Sequence, residues 1–293
     1  IYTVKDTLSL HDALPISTFQ SWTIVSGNSG GLFSVDSLSG ELWLSDTVNL
    51  DYETTEQYQL VINVSDGVNT SGNDTVEVNI LDVNDEVPVV SDGQVFTVNE
   101  DSENNTILGT VVATDADAGS SLNNWTITDG NVNSVFAIDS ATGILSLADS
   151  SYLDYENLAE YKLFVKVSDG LFTSEGDTVT VSVVDVNDEI PVITTGQSFA
   201  IEEDAANGAG IGTITATDAD AGTTFQSWTI TGGNSDNIFA IDAGTGEITI
   251  ADNTNLDYEA AQSYTLSLTV SDGVNTSSEE SANININDVN DEM

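Results

Sequence analysis

Cysteine is absent from the 293 residues, histidine occurs once, and Lys plus Arg number 3 against 49 Asp plus Glu. Without cysteine there is no disulfide, no thiolate nucleophile and no Cys-ligated zinc. One histidine leaves almost no room for a His-based triad or a multi-His metal site. A formal net charge of −46 opposes nucleic-acid binding, which needs Lys and Arg to displace counterions from phosphates. It opposes contact with anionic membrane surfaces for the same reason. No apolar run approaches the roughly 20 residues of a membrane span. Hard cations bound by oxygen stay open.

Such a charge raises the question of disorder, and the rest of the composition answers it. Charged residues make up only 18% of the chain, prolines number 3, and 39% of residues are hydrophobic. That is enough apolar material to give each of two or three domains a core.

Internal repetition sets the organisation. Leu50-Asp51-Tyr52-Glu53 returns as Leu153-Asp154-Tyr155-Glu156 and as Leu256-Asp257-Tyr258-Glu259. Ser65-Asp66-Gly67 returns at Ser168 and Ser271, and Asp82-Val83-Asn84-Asp85 at Asp185 and Asp288. Three ungapped copies follow, read as residues 1–86, 87–189 and 190–293. Within a copy the period is two: Tyr161, Leu163, Val165 and Val167 alternate with other side chains, as do Val179, Val181 and Val183. Shorter strands are expected over Gly109 to Ala113, Trp125 to Ile127, Phe136 to Ile138 and Ile144 to Leu147, separated by turns such as Asp139-Ser140-Ala141-Thr142-Gly143. The fold class is therefore all-β, with an antiparallel sandwich of about seven strands per copy. Trp22, Trp125 and Trp228 hold equivalent positions and are expected in the cores.

The opening of the chain breaks the pattern. Asp6 to Ser17 resembles the conceptual translation of a sequencing-library adapter, which makes His11 and Asp12 non-native and leaves Ile1 to Lys5 unplaced. Homology resumes at Thr18-Phe19-Gln20-Ser21-Trp22, matching Thr224 to Trp228. Copies one and two run on through Pro88 and Pro191, whereas copy three stops at Met293, so the chain reads as a piece of a longer repetitive protein.

Most of the acidic residues suit a solvated surface, but the periodic ones gather at the two ends of each copy. Asp51 and Glu53 precede a strand, Asp82, Asn84 and Asp85 form the exit, Asp115 and Asp117 end a strand, and Asp169 lies in a turn. Brought to one junction, these carboxylates would repel one another and raise their own pKa values. Calcium, with 6–8 oxygen ligands and flexible geometry, is the natural neutraliser, ahead of magnesium with its stricter octahedron.

In these residues the chain resembles the cadherin repeat family. Copy two carries all five of the family's motifs in order: Glu100 on the first strand, Asp115-Ala116-Asp117, Leu153-Asp154-Tyr155-Glu156, Ser168-Asp169-Gly170, and Asp185-Val186-Asn187-Asp188-Glu189-Ile190-Pro191. The resemblance covers Thr18 to Met293 and implies tandem seven-stranded Greek-key sandwiches with about three Ca²⁺ at each complete junction. Carried over, the first junction uses Asp51, Glu53, Asp82, Asn84, Asp85, Asp115, Asp117 and Asp169, without a first-strand acid. The second uses Glu100, Asp154, Glu156, Asp185, Asn187, Asp188, Asp218, Asp220 and Asp272, eight carboxylates against the +6 of three ions. At the far end Glu203, Asp257, Glu259, Asp288, Asn290 and Asp291 form half a junction, expected to bind weakly or not at all. Tyr52, Tyr155 and Tyr258 stand where animal cadherins usually carry Arg. Glu86 and Glu189 replace a frequent Asn whose backbone carbonyl the family uses. Gly119-Ser120-Ser121 and Gly222-Thr223-Thr224 lack the Asn that supplies one ligand of the third ion. No copy has the tryptophan-exchange region of classical cadherins, so strand-swapped adhesion is not implied.

The expected function is a calcium-rigidified segment of an extracellular or cell-surface adhesin of bacterial type. Its partners would be other such repeats, a surface protein or a polysaccharide, with no nucleic acid and no membrane contact by this segment. The alternative is a carbohydrate-binding or self-associating module. Trp43, set against Leu147 and Ile250 of the other copies, is its best candidate platform, but is read first as a core or rim variant. An enzyme is not expected: paired carboxylates can hydrolyse glycosides, but here they recur identically at the end of every copy. The sequons at Asn63, Asn124 and Asn275 are expected by chance in so Asn- and Thr-rich a chain.

Overall fold

A computed structural model describes residues 21–290, together with the backbone of residues 3–4. The adapter-like stretch 6–17, the resumption of homology at 18–20 and the expected ligand Asp291 lie outside the described residues. Among the described residues there are strands and four short 3-10 turns, and no α-helix.

Copy two shows the plan. A four-stranded sheet runs in the order Asn123–Asp129, Glu160–Ser168, Asp177–Val184, Val95–Asn99. A three-stranded sheet runs Phe136–Ile138, Ile144–Leu147, Ile107–Thr110. Copy three repeats both sheets with the same connections. Alternation explains the layering. In Glu160–Ser168 the residues Tyr161, Leu163, Val165 and Val167 face inward, all at 3% exposure or less, and meet Val179, Val181 and Val183 of the paired strand. Burying each such side chain contributes roughly 1.5–3 kcal/mol. Edge-to-face ring pairs recur across the core, Phe136 with Tyr161 and Phe239 with Tyr264.

The expectation of a purely antiparallel sandwich is corrected at one strand of each complete copy. Val95–Asn99 runs parallel to Asp177–Val184, and Gln197–Glu202 parallel to Glu280–Asn287. The reason is that the lead-in segment divides. Val89–Val90 pairs with Ala113–Thr114 first, and the chain then crosses to the other sheet. The strand expected over Gly109 to Ala113 divides in the same place, into Ile107–Thr110 and Ala113–Thr114. At the break the Val112 N–H donates to Gln94 Oε1 (2.7 Å), a side chain standing in for a ladder partner.

Trp125 and Trp228 lie in the cores as expected, at 5% and 4% exposure, while Trp22 is half-buried. Beneath Trp125 sits Gly143, at φ +72°, where an added Cβ would stand 2.9 Å from the indole. Strand register corrects the alignment of Trp43. Phe33 pairs with Leu44 and Ser34 with Trp43, as Phe136 pairs with Leu147 and Ala137 with Ser146. Trp43 thus corresponds to Ser146, not Leu147, and it faces outward at 42% exposure rather than into the core.

Copy one has the same frame with a thinner seal. Its smaller sheet has two strands among the described residues, Phe33–Val35 and Leu42–Leu44, with no counterpart of Ile107–Thr110. Leu42, Leu44, Tyr58 and Val76 are half-buried, where Leu145, Leu147, Tyr161 and Val179 are closed to solvent.

Candidate metal centre

Two kinds of segment carry the acidic residues: loops that close a strand, and the exit that joins one sandwich to the next. Asp218 and Asp220 follow the strand Ala216–Thr217, Asp272 follows Ser263–Ser271, and Asp185 to Asp188 follow Asp177–Val184. Local turns fix their orientation. Asp272 Oδ1 accepts from the N–H groups of Val274 and Asn275 (both 2.6 Å), and Asp169 Oδ1 from those of Leu171 and Phe172. Asp115 and Asp218 each accept from the N–H two residues on, at 3.0 Å. These are Asx turns, which occupy one carboxylate oxygen and leave the other free.

The sandwiches are joined through the same residues. Asp220, 6% exposed, accepts from the N–H groups of Asp188 and Glu189, and Asp117, 5% exposed, accepts from those of Asp85 and Glu86. Asp185 Oδ2 accepts from Ala221 N–H at 2.7 Å, and the Asn275 side chain donates to the Glu189 carbonyl at 2.9 Å. At the first junction Glu53, Asp85 and Asp117 bring carboxylate oxygens within 4.8 Å of one another, as do Asp115, Asp117 and Asp169. At the second, Glu100, Glu156 and Asp185 do so, and so do Glu156, Asp188 and Glu189. At the far end Glu203, Asp257 and Glu259 converge, while Asp288 and Asn290 are exposed.

Among the described residues, eight buried side-chain oxygens have no hydrogen-bond partner: Glu53 Oε1, Asp82 Oδ1, Asp115 Oδ2, Asp169 Oδ2, Asp185 Oδ1, Asn187 Oδ1, Asp218 Oδ2 and Asp272 Oδ2. All eight belong to the two junctions, four to each. A buried acceptor without a donor is costly, and a cluster of them fits a hard cation that takes only oxygen. The donor set therefore fits calcium.

Electrostatics agree. Glu156 is exposed as a residue, yet desolvation of its carboxyl, followed by the charges of Glu100, Asp185 and Asp220, pushes its pKa up to about 7. Asp188 is raised by desolvation and then by Glu100 and Asp220, and Asp115 and Asp218 are raised first by burial. Asp169 is the opposite case: burial pushes it up, but N–H donors from Leu171 and Phe172 and a bond to Asn84 hold it low. Asp51 is also held low, by Thr54, whose hydroxyl and N–H occupy its two oxygens. Asp154 Oδ1 accepts from Asn157 N–H. Sequence reasoning missed the side chain of Glu189, assigned there to its carbonyl alone; its place beside Asp188 in an acidic exit was the available signal.

The family model described as "Cadherin domain" matches residues 16–81, 94–186 and 197–287. The chain belongs to the cadherin domain family. Human Protocadherin Fat 1 is 36% identical over 231 residues, covering 75% of this chain and 5% of that protein. Human Cadherin EGF LAG seven-pass G-type receptor 3 is 36% identical over 261 residues, covering 86% and 8%. The chain thus spans less than a tenth of the length of these curated relatives. Among solved structures, mouse Cadherin-23 EC22-24 matches with a TM-score of 0.61 at 23% identity, covering 95% of this chain and 89% of that one. Mouse Protocadherin-24 EC1-3 matches at 0.60 and 24% identity, covering 94% and 92%. These two likenesses establish the fold: a tandem array of cadherin sandwiches. The cadherins this chain matches are adhesion proteins and not enzymes. No helix among the described residues is long and apolar enough to cross a membrane.

Proposed function

We propose that this chain is a calcium-stiffened segment of an extracellular adhesin, with domain limits at 1–86, 87–189 and 190–293. The observation that carries the reading is the set of eight partnerless buried oxygens confined to the two junctions. Asp51, Glu53, Asp82, Asn84, Asp85, Asp115, Asp117 and Asp169 would hold ions at the first junction. Glu100, Asp154, Glu156, Asp185, Asn187, Asp188, Asp218, Asp220 and Asp272 would hold them at the second. Calcium supplies positive charge to groups that otherwise repel. The chain's own residues orient the oxygens, through the Asx turns and the N–H bonds that cross from one sandwich to the next. With the repulsion cancelled, neighbouring sandwiches lock end to end and the segment becomes a stiff spacer. Adhesion through further copies of such repeats suits a family that includes protocadherins.

The test is a calcium titration of the whole chain, followed by thermal melting and small-angle scattering, with magnesium as control. The expected outcome is a higher melting temperature and a longer particle with calcium alone. If neither observable moves, the acidic motifs are ordinary solvated surface.

A further inference from the structure

Two of the chain's three lysines, Lys162 and Lys166, lie on one strand of copy two, Glu160–Ser168, and on its outward face. Four residues of strand set them roughly 13 Å apart. Between them Phe164 also points outward; it is half-buried, yet it takes no part in the hydrophobic core. Gly176, at φ +92°, makes room for both neighbours: an added Cβ would stand 2.8 Å from the Phe164 ring and 2.8 Å from Lys166 Cγ. Strand pairing surrounds these side chains with hydroxyls. Thr126 pairs with Lys166, Thr178 with Phe164 and Thr180 with Lys162. The carboxylates of the four-stranded sheet, Glu160, Asp129 and Asp177, stand at strand ends. Lys162 is bridged to Glu160 at 3.2 Å, an exposed pair that contributes little and opens readily. Lys166 has no ion-pair partner among the described residues, in a chain with 49 Asp plus Glu.

The fold itself does not ask for this surface. The same three positions are Gln59, Val61 and Asn63 in copy one and Thr265, Ser267 and Thr269 in copy three, and Asn73 and Glu279 stand where copy two has Gly176. We infer that the outward face of copy two's larger sheet docks an acidic polysaccharide, a polymer whose sugars carry carboxylates. The two lysines pair with carboxylates of the polymer, and the Phe164 ring takes an apolar C–H face of a sugar between them. Thr126, Thr178 and Thr180 offer hydroxyls to its hydroxyls. Charge complementarity selects this occupant. A neutral sugar would leave Lys166 unpaired, and a second copy of the chain would bring its own −46. A single polymer strand is narrow enough to be governed by charges within about 8 Å, the screening length at physiological salt. A contact resting on two cations is weak and falls with added salt, and no metal ion enters into it.

The experiment is a residue-resolved NMR titration of the whole chain with short oligogalacturonate, in calcium and again in chelator, because uronates bind calcium themselves. Polyglutamate supplies charge without sugar, and a malto-oligosaccharide supplies sugar without charge. Oligogalacturonate should shift the amides of Lys162 to Lys166 and of Thr178 and Thr180 in both conditions, and leave Gln59 to Asn63 and Thr265 to Thr269 unmoved. Lys162→Gln with Lys166→Asn installs copy one's residues at outward positions, which keeps the fold. That variant should lower the affinity at least about tenfold, equivalent to about 1.4 kcal/mol. Phe164→Val, again copy one's residue, should weaken oligogalacturonate at least about threefold and leave polyglutamate unaffected. Equal affinity for polyglutamate, or no effect of Phe164→Val, overturns the sugar assignment; equal affinity for the malto-oligosaccharide overturns the role of charge. Shifts at the same amides on raising the protein concentration alone would seat a second copy on the face instead. A response seen only with calcium and centred on the junction carboxylates is ion bridging and overturns the docking face, as does no response at all.

Discussion

A single carboxylate in this chain does two jobs with its two oxygens. Asp272 spends one on an Asx turn with Val274 and Asn275 and holds the other, buried, without a partner. Asp272→Asn can preserve the turn while removing the charge. It should weaken calcium binding at the second junction by one to two orders of magnitude, since charge count sets affinity in such sites. Calorimetric titration should show the first junction unaffected. Glycine matters at this scale as well. Gly143→Ala forces a side chain into a left-handed backbone conformation against Trp125. A loss of about 1–3 kcal/mol is expected, measured by urea denaturation.

At the scale of elements, equivalent strands in different copies form an internal control. Leu145 is fully closed to solvent whereas Leu42, its counterpart, is half-buried. Leu145→Ala should cost about 2–5 kcal/mol and Leu42→Ala clearly less. Calorimetry of the calcium-free chain should resolve a first transition belonging to copy one. The junction loops carry their own pH signature. Glu156 binds its proton more tightly in the folded chain, up to about 7 from 4.5, so folding takes up protons in that window. The calcium-free protein therefore loses stability as pH rises through about 7 and regains it as pH falls toward 4.5. Asp139 and Asp242, held low by their turns, act in the opposite sense only below the usual aspartate range. Melting temperatures without calcium should be higher near pH 5.5 than near pH 8, and calcium, which displaces the proton, should reverse the order.

For the whole molecule the governing quantity is a net charge of −46 on 293 residues. Self-repulsion of that size favours expanded states and is screened by salt. In chelator, sodium chloride should raise the melting temperature in a graded way. Calcium should do so at far lower concentration, and a chain that responds equally to both ions would have no specific junction sites.

Much of this was legible in the amino-acid sequence, because repetition makes period and spacing visible. Copies offset by a constant interval, inward alternation through Tyr161 to Val167, and acidic motifs at each end are all one-dimensional facts. They fix the sandwich and the family. What stayed hidden involves contacts between residues far apart in sequence. The lead-in strand's division between two sheets depends on Gln94 reaching Val112, 18 residues away. The two hydrogen bonds that Glu100 accepts, from Tyr155 and Val186, span 55 and 86 residues. Composition and pattern decided which residues are acidic, apolar or turn-forming. Only the folded backbone decided which carboxylate oxygens are already satisfied and which are left facing one another across a junction.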